Sequence, residues 1–385
     1  MTDDVDLLIL GGGCAGLSLA RELAAFGARS PSACIIEQRA QYEDDRTWCF
    51  WGHDLALLPE LVEHQWPRVQ LRSQKAVVTF ECGKHPYCMI SGRRFYADAR
   101  EKLAHVRQIR LETAVSVQGA PRLSNGLWQV DTSAGMRRAR WLVDTRPGSM
   151  PLAAAEAPIL WQSFLGQEVV CETPVFDPAC ATLMDFVVDD SSRIVFTYVL
   201  PFSSTRALIE LTVFARAPMI PAELSAPLQK QVCARTRQQA HAVVRTEQGI
   251  LPMGLGLKTG TKQARHLQVG LMQGGARAST GYAFQRIQRW AKEGAAQLVA
   301  GVPLTGHRAD PPLVRRMDRL FLSLLRHRPG SAPGLFLSMF ERSNPDALVR
   351  FLSDDASTRD LLRIVTALPA QPFLRQIGRG LRSAG

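Results

Sequence analysis

Apolar residues run through Leu7-Leu8-Ile9-Leu10 and stop abruptly at Gly11-Gly12-Gly13. A run with apolar side chains on both faces predicts a buried parallel strand over 5–10. Leu17, Ala20, Leu23 and Ala24 then recur at helical spacing, which predicts a helix over 14–27 with Gly27 placed to end it. Ala33-Cys34-Ile35-Ile36 predicts a second buried strand. Residues 70–82 alternate like strands, a helix begins near 96–103, and 127–130 and 140–144 read as further strands. From residue 160 the texture changes. The stretches 160–164, 168–172, 181–188, 193–200 and 205–214 are extended, β-branched and aromatic, and Pro174, Asp177-Pro178, Asp189-Asp190 and Pro201 separate them. They predict an antiparallel sheet inserted into an α/β unit. Residues 268–284 are glycine-rich, and the last third is mostly helical. The expected organisation is a dinucleotide-binding unit over 1–155 and 246–300, a substrate sheet over 156–245, and a helical region over 301–385.

The glycine turn gives this pattern its first chemistry. Leu10, Gly11, Gly12, Gly13, Cys14, Ala15 and Gly16 follow the strand in a GxGxxG arrangement. Gly11 would make the tight turn, Gly13 would let backbone N–H groups approach a pyrophosphate, and Gly16 would let the helix pack close to the sheet. Glu37 ends the second strand, 21 residues after Gly16, where an acid can bond ribose hydroxyls. Arg39 joins it as a candidate contact. Asp144 and Arg146 lie in the turn after the 140–144 strand, at the sheet edge that faces ligands in open α/β folds. A nucleotide cofactor, FAD or NAD(P), is the expectation.

Composition narrows the class. A chain of 385 residues with 46% hydrophobic and 21% charged residues is folded and large enough for two lobes. It contains no stretch of about 18 uninterrupted apolar residues. Acids rather than basic residues open the chain, unlike a secretory signal. The eight cysteines are scattered, and Cys82 and Cys88 lack the usual metal-ligand spacing, so reduced thiols, a cytoplasmic setting and no metal are expected. The net charge of +11 is uneven. From Pro311 to Gly385 there are twelve arginines, no lysine and six acids, a net +6, mixed with long apolar runs. That mixture suits an anionic membrane surface at 311–350, and a solvated helical subdomain almost as well. No nucleic-acid signature accompanies it.

Three further constellations carry chemistry. Arg46, Thr47, Trp48, Phe50 and Trp51 form a cationic, aromatic block that can stack on a flavin or line a hydrocarbon tunnel. Gly274, Gly275, Ser279, Thr280, Gly281, Tyr282 and Phe284 belong to a low-bulk loop that can approach a flavin, with a helix expected to start near Thr280 and Gly281. Glu210 sits in the apolar run Ala207-Leu208-Ile209-Glu210-Leu211. Buried, it would stay protonated near neutral pH and serve as an acid; turned outward, it would be an ordinary surface residue. Periodicity leaves both readings open.

In their order, these blocks resemble the flavin-containing lycopene β-cyclases of bacterial carotenoid pathways. The resemblance rests on GGGCAGLSLA, DRTWCFW, LVDTRP at 142–147, GQEVVCETPVFDPACATLMDF at 166–186, LPFSSTRALIELTVF at 200–214, GILPMG at 249–254, GGARASTGYAF at 274–284 and FERSNPDALVRFLSD at 340–354. It implies a Rossmann-like FAD-binding fold of the hydroxylase and reductase type, and FAD kept reduced by NADPH or NADH. It also implies an isomerase that closes the ψ-ends of lycopene, or of a related carotenoid, into β-ionone rings. The first acid of the family's motif falls on Glu210. Many members carry a second acid directly after it; here that position is Leu211, and Ala278 stands where a proline is usual. The resemblance further implies peripheral attachment to the cytoplasmic membrane, with other carotenoid enzymes as candidate partners. Trp51 and Phe284 are the expected substrate-lining residues. A redox FAD enzyme acting on an isoprenoid and a non-catalytic flavoprotein are the rival readings.

Overall fold

The computed structural model describes residues 4–52, 58–147, 158–187, 192–255 and 265–382. The chain runs β1 (Asp4–Leu10), α1 (Cys14–Ala24), β2 (Ala33–Ile36), β3 (Thr47–Trp51), β4 (His64–Trp66), β5 (Arg68–Arg72), β6 (Val77–Glu81), β7 (Tyr87–Ser91), α2 (Gly92–Ala104), β8 (Ile109–Glu112), β9 (Val117–Ser124), β10 (Leu127–Thr132) and β11 (Gly135–Asp144). It continues through β12 (Leu160–Cys171), β13 (Cys180–Val187), β14 (Ile194–Pro201), β15 (Arg206–Ala215), α3 (Pro221–Arg235), β16 (His241–Met253) and β17 (His266–Gln268). It closes with α4 (Phe284–Val299), α5 (Pro312–His327), α6 (Ala332–Arg342), α7 (Pro345–Leu352), α8 (Thr358–Ala367) and α9 (Ala370–Arg382).

The first sheet has the order β8-β2-β1-β11-β10-β9, with β17 also pairing β11. β1 runs parallel to β2 and to β11, as its two-faced apolar run requires. Leu7 and Ile9 pack under α1 and α4, while Leu8 and Leu10 enter a second core with Trp128 and Val130. α1 ends at Ala24, three residues before the expected stop. Gly27 is left-handed, with φ +57°, but it opens a short 3-10 turn after the helix.

The second sheet has the order β16-β12-β15-β14-β13-β5-β6, antiparallel except where β13 meets β5. Two stretches cross the expected boundaries. β5 and β6 come from within 1–155, and β16 extends past 245, because both complete this sheet through backbone pairing. The strands expected at 160–164 and 168–172 are one continuous β12, which pairs along its length with β15 and β16. The boundary near 155 and the turn at Asp189-Asp190 lie outside the described residues.

Alternation on β15 settles which way Glu210 points. Ala207, Ile209, Leu211 and Val213 pack against Leu224, Leu228 and Val232 of α3. Leu208 and Phe214 belong to the opposite core, so Glu210 and Thr212, with the same parity, share that other face. Leu211 therefore projects away from Glu210. An acid directly after Glu210 would enter the α3 side of the sheet.

The C-terminal helices cap the second sheet. Leu322, Leu324, Leu325, Leu335 and Leu337 are buried in the core that also holds Phe80, Met184 and Phe214. This corrects the expectation of a membrane surface at 311–350: apart from exposed Leu313, the large apolar side chains there are mostly spent on packing. Buried Arg277 ties this cap to the glycine loop. It lies against Asp318, at 3.2 Å, donates to the Phe351 carbonyl and sits over the Phe351 ring.

Candidate active site

A cavity of about 1250 Å³ runs from the glycine turn to the second sheet. Its nucleotide end begins where β1 stops. Gly11 has φ +97°, a left-handed conformation that disfavours any side chain. A Cβ on Gly16 would lie 2.0 Å from the Gly11 carbonyl, so only glycine lets α1 start this close to the strand. A Cβ on Gly13 would meet nothing, and Gly13, Cys14 and Ala15 line the cavity. The amino end of α1 thus presents open backbone to an anion.

Glu37 is buried beside this turn. The Gly12 N–H donates to its Oε2 at 2.7 Å, and the Arg39 N–H and Nε donate to Oε1 at 2.8 and 3.1 Å. Burial pushes the carboxyl up, but these bonds and the Arg39 charge outweigh it and hold Glu37 below the usual carboxylate range. Asp144, at the end of β11, accepts from Arg146 Nε at 2.9 Å and from its terminal nitrogen at 2.7 Å. Two buried amide atoms on the cavity wall, Gln162 Oε1 and Gln273 Nε2, have no hydrogen-bond partner among the described residues. Open glycine backbone, ionised Glu37 and idle amides fit a polar, phosphate-bearing cofactor.

Of the expected cofactor contacts, Gly11, Gly13, Cys14, Ala15, Glu37, Arg39, Arg46, Thr47, Trp48, Asp144 and Arg146 line the cavity, as do Ser279, Thr280, Gly281 and Tyr282. Leu10, Gly12, Gly16, Gly274 and Gly275 do not. Gly12 faces Tyr42 and Glu37, while Gly16 and Gly275 fold against the carbonyls of Gly11 and Gly270. Ser279 is occupied structurally, donating to Asp318 at 2.9 Å. The helix expected near Thr280 starts at Phe284, because left-handed Gly281, φ +73°, turns the chain first. Phe284 lines the cavity as expected, stacked against Trp48 and Phe50. Trp51 does not: it is buried behind the wall among Phe80, Tyr87 and Phe340.

The far end of the cavity is apolar and aromatic, with Phe164, Phe196, Phe214, Phe336 and Phe340 on its walls. Glu210 lies among them, only 8% exposed. Its Oε1 accepts from the Thr212 hydroxyl at 2.5 Å. Burial, then the neighbouring Glu247, push its pKa up to about 8, with the Thr212 bond opposing. At neutral pH this carboxyl carries its proton. Tyr198 lies opposite Glu210 on β14, and its hydroxyl is 3.0 Å from that of Tyr87.

Sequence reasoning missed Glu247, Arg245 and the α6 side chains Phe336, Met339 and Phe340. β16 looks like a polar edge strand, and its cavity-facing residues emerge only from its pairing with β12. The α6 residues read equally well as core or as membrane face.

The lycopene cyclase protein family model matches residues 6–377. The chain belongs to the lycopene cyclase family. That membership makes it an isomerase-type enzyme. It is 28% identical to a lycopene beta-cyclase of Paracoccus sp. (strain N81106 / MBIC 01143), over 97% of this chain and 96% of that protein. It is 26% identical to the lycopene beta-cyclase of Pantoea ananas, over 97% of each. Among solved structures it is similar to a geranylgeranyl bacteriochlorophyll reductase-like protein from Thermoplasma acidophilum, with TM-score 0.62, 12% identity and coverage of 98% and 99%. It is also similar to the flavin-dependent monooxygenase PieE in complex with FAD and substrate, with TM-score 0.64, 13% identity and coverage of 96% and 71%. The fold of this cyclase-family chain is therefore the FAD-binding hydroxylase and reductase type, an α/β unit with an inserted sheet and a helical C-terminal region.

Proposed function

We propose that the protein is a lycopene β-cyclase that closes the ψ-ends of lycopene, or of a related ψ-ended carotenoid, without net oxidation. One observation carries this reading: Glu210 is a buried carboxyl, pushed up to about 8, in an apolar cavity that is continuous with a dinucleotide turn. FAD suits the nucleotide end, held by the Gly11–Ala15 backbone, Glu37 and the turn around Asp144. Bound there and kept reduced by NADPH or NADH, FAD would supply negative charge that favours a developing cation.

Glu210 gives its proton to the terminal double bond of the polyene, leaving a tertiary carbocation. Internal attack by the next double bond closes the ring, and the ring carbon gives a proton back to the Glu210 carboxylate, so the acid is restored and product and substrate have the same mass. Phe164, Phe196 and Phe214 line the cavity around Glu210, aromatic rings of the kind that stabilise a cation, and the apolar walls exclude water that would quench it. The substrate partitions into lipid, since each buried CH₂ is worth roughly 0.8 kcal/mol. No helix among the described residues is long and apolar enough to cross a membrane. We place the enzyme on the cytoplasmic membrane surface as a peripheral protein.

The deciding experiment is expression in a lycopene-accumulating host, with pigments resolved by chromatography and mass. Cyclised isomers of unchanged mass are expected from the wild type and none from Glu210→Gln. A hydrogenated or oxygenated polyene would replace this reading with that of a redox flavoenzyme.

A further inference from the structure

Glu210 does not face the cavity alone. Backbone pairing sets four residues in one row across the second sheet: Glu247 on β16, Gly166 on β12, Glu210 on β15 and Tyr198 on β14. Residues directly paired across strands point to the same face. Gly166 puts no side chain of its own between the two carboxyl-bearing chains, and the position its Cβ would take is bordered by Leu208 Cδ1, at 3.2 Å, as well as by the two glutamates. A Cβ there would lie 3.3 Å from Glu210 Cβ and 3.4 Å from Glu247 Cγ.

The two acids are held differently. Glu247 Oε2 accepts from the Thr47 hydroxyl at 2.7 Å and from an Arg245 terminal nitrogen at 2.6 Å. Arg245 also donates to Thr47 at 2.8 Å and to Glu168 at 2.8 Å, so the clamp is braced from two strands. Glu210 has a neutral hydroxyl as its hydrogen-bond partner and no guanidinium on it among the described contacts. The remaining titratable groups around it are Tyr198 on β14 and Cys49 on β3, with Tyr87 on β7 and Tyr282 behind them; burial pushes all four up, which keeps them neutral. Burial raises the Glu247 carboxyl too, but the Arg245 charge and the Thr47 and Arg245 bonds oppose it, and the charge that Glu210 meets is that of Glu247.

We propose that Glu247 is a positioning residue for the acid, its carboxylate clamped by Arg245 and Thr47 so that, across the Gly166 gap, the proton stays on Glu210. Two adjacent buried carboxyls cannot both ionise cheaply, and the one holding the guanidinium ionises first. This rests on the cyclase reading for its purpose, since a cyclase needs Glu210 loaded with a proton at neutral pH. It also explains how a chain with Leu211 after its acid has a second carboxyl at the site: that carboxyl arrives from across the sheet.

The test is a pH titration of the Glu210 carboxyl in the purified protein by infrared difference spectroscopy, its band assigned by loss in Glu210→Gln. Glu247→Gln should lower the midpoint from about 8 by roughly one pH unit or more, and Glu247→Asp should restore most of the shift. The alkaline limb of the cyclisation profile should move with it. A second measurement needs no Glu247 variant: Glu247 ionises while Glu210 is still neutral, so in Glu210→Gln the Glu247 midpoint should stay nearly where it is. An unmoved Glu210 midpoint in folded Glu247→Gln, or a Glu247 midpoint that falls by about a pH unit in Glu210→Gln, overturns the proposal. Absence of cyclised product from the wild type would instead overturn the cyclase reading, whatever the midpoints do.

Discussion

The two ends of the cavity use the same residue type in opposite ways. At the nucleotide end Glu37 is wrapped by the Gly12 amide and by Arg39, and its carboxyl is held low. At the substrate end Glu210 meets a hydroxyl and another carboxylate, and its carboxyl is driven up. Both side chains are buried, so burial alone does not separate them. The difference lies in who donates to each: amide and guanidinium donors pay the desolvation of Glu37, whereas nothing comparable offsets it for Glu210. One acid is built to stay charged and bind, the other to stay neutral and give a proton.

Exchanging carboxyl for amide at each end should break the comparison most sharply. Glu210→Gln removes the donor and should cut ring formation by about 10² to 10⁴-fold, the usual worth of a general acid, while bound flavin absorbance is kept. Glu37→Gln should do the reverse. It loses charge-assisted bonds worth about 1.5–3 kcal/mol, so FAD affinity measured by fluorescence quenching should drop about 10- to 100-fold, and activity should return at saturating FAD. Equal loss of flavin from both variants would show that the two ends are not separate.

The pH dependence of stability sharpens the same contrast. Between the ordinary carboxyl value of 4.5 and about 8, folded Glu210 holds a proton that the unfolded chain has lost. Stability therefore falls as pH rises through that window, by about 1.4 kcal/mol per unit for one proton. Glu37 has the opposite sign: its contribution is complete above the unfolded carboxyl value and is lost as pH falls through its depressed one. Urea denaturation of wild type and Glu210→Gln between pH 5 and 8 should show the slope in the first and a flatter profile in the second. Parallel profiles would place Glu210 in solvent.

The nucleotide end was legible because it is local. One strand, one turn and one helix put Gly11, Gly13 and Gly16 in place, and Glu37 needs only the adjacent strand β2. The substrate end is assembled from distant pieces. Glu247 and Gly166 are 81 residues apart and meet only through register, which a one-residue slip would reverse. The inward turn of Glu210 was undecidable from alternation alone, because β15 is buried on both faces and offers no polar side to count from. The apolar C-terminal helices misled for a related reason. A helix face that closes an internal cavity and one that meets lipid have the same composition, and only the packing of α5 and α6 separates them.

With 311–350 mostly spent on packing, the membrane-facing candidate moves to the end of the chain. α8 leaves Leu362 and Val365 exposed beside Arg359 and Arg363, and α9 leaves Leu374 exposed beside Arg375. Apolar residues set among arginines suit a surface of anionic lipid, where each basic residue contributes about 1 kcal/mol. Glu210 needs no part in such docking, so surface and acid should separate cleanly. Arg359→Glu with Arg363→Glu should release the protein from vesicles of phosphatidylglycerol and phosphatidylcholine in a sedimentation assay, by roughly tenfold or more in partition. The same variant should still cyclise lycopene delivered in detergent, because the cavity and both glutamates lie elsewhere. Unchanged sedimentation would remove α8 as the lipid contact, and loss of activity in detergent would tie this face to the fold of the cavity wall instead.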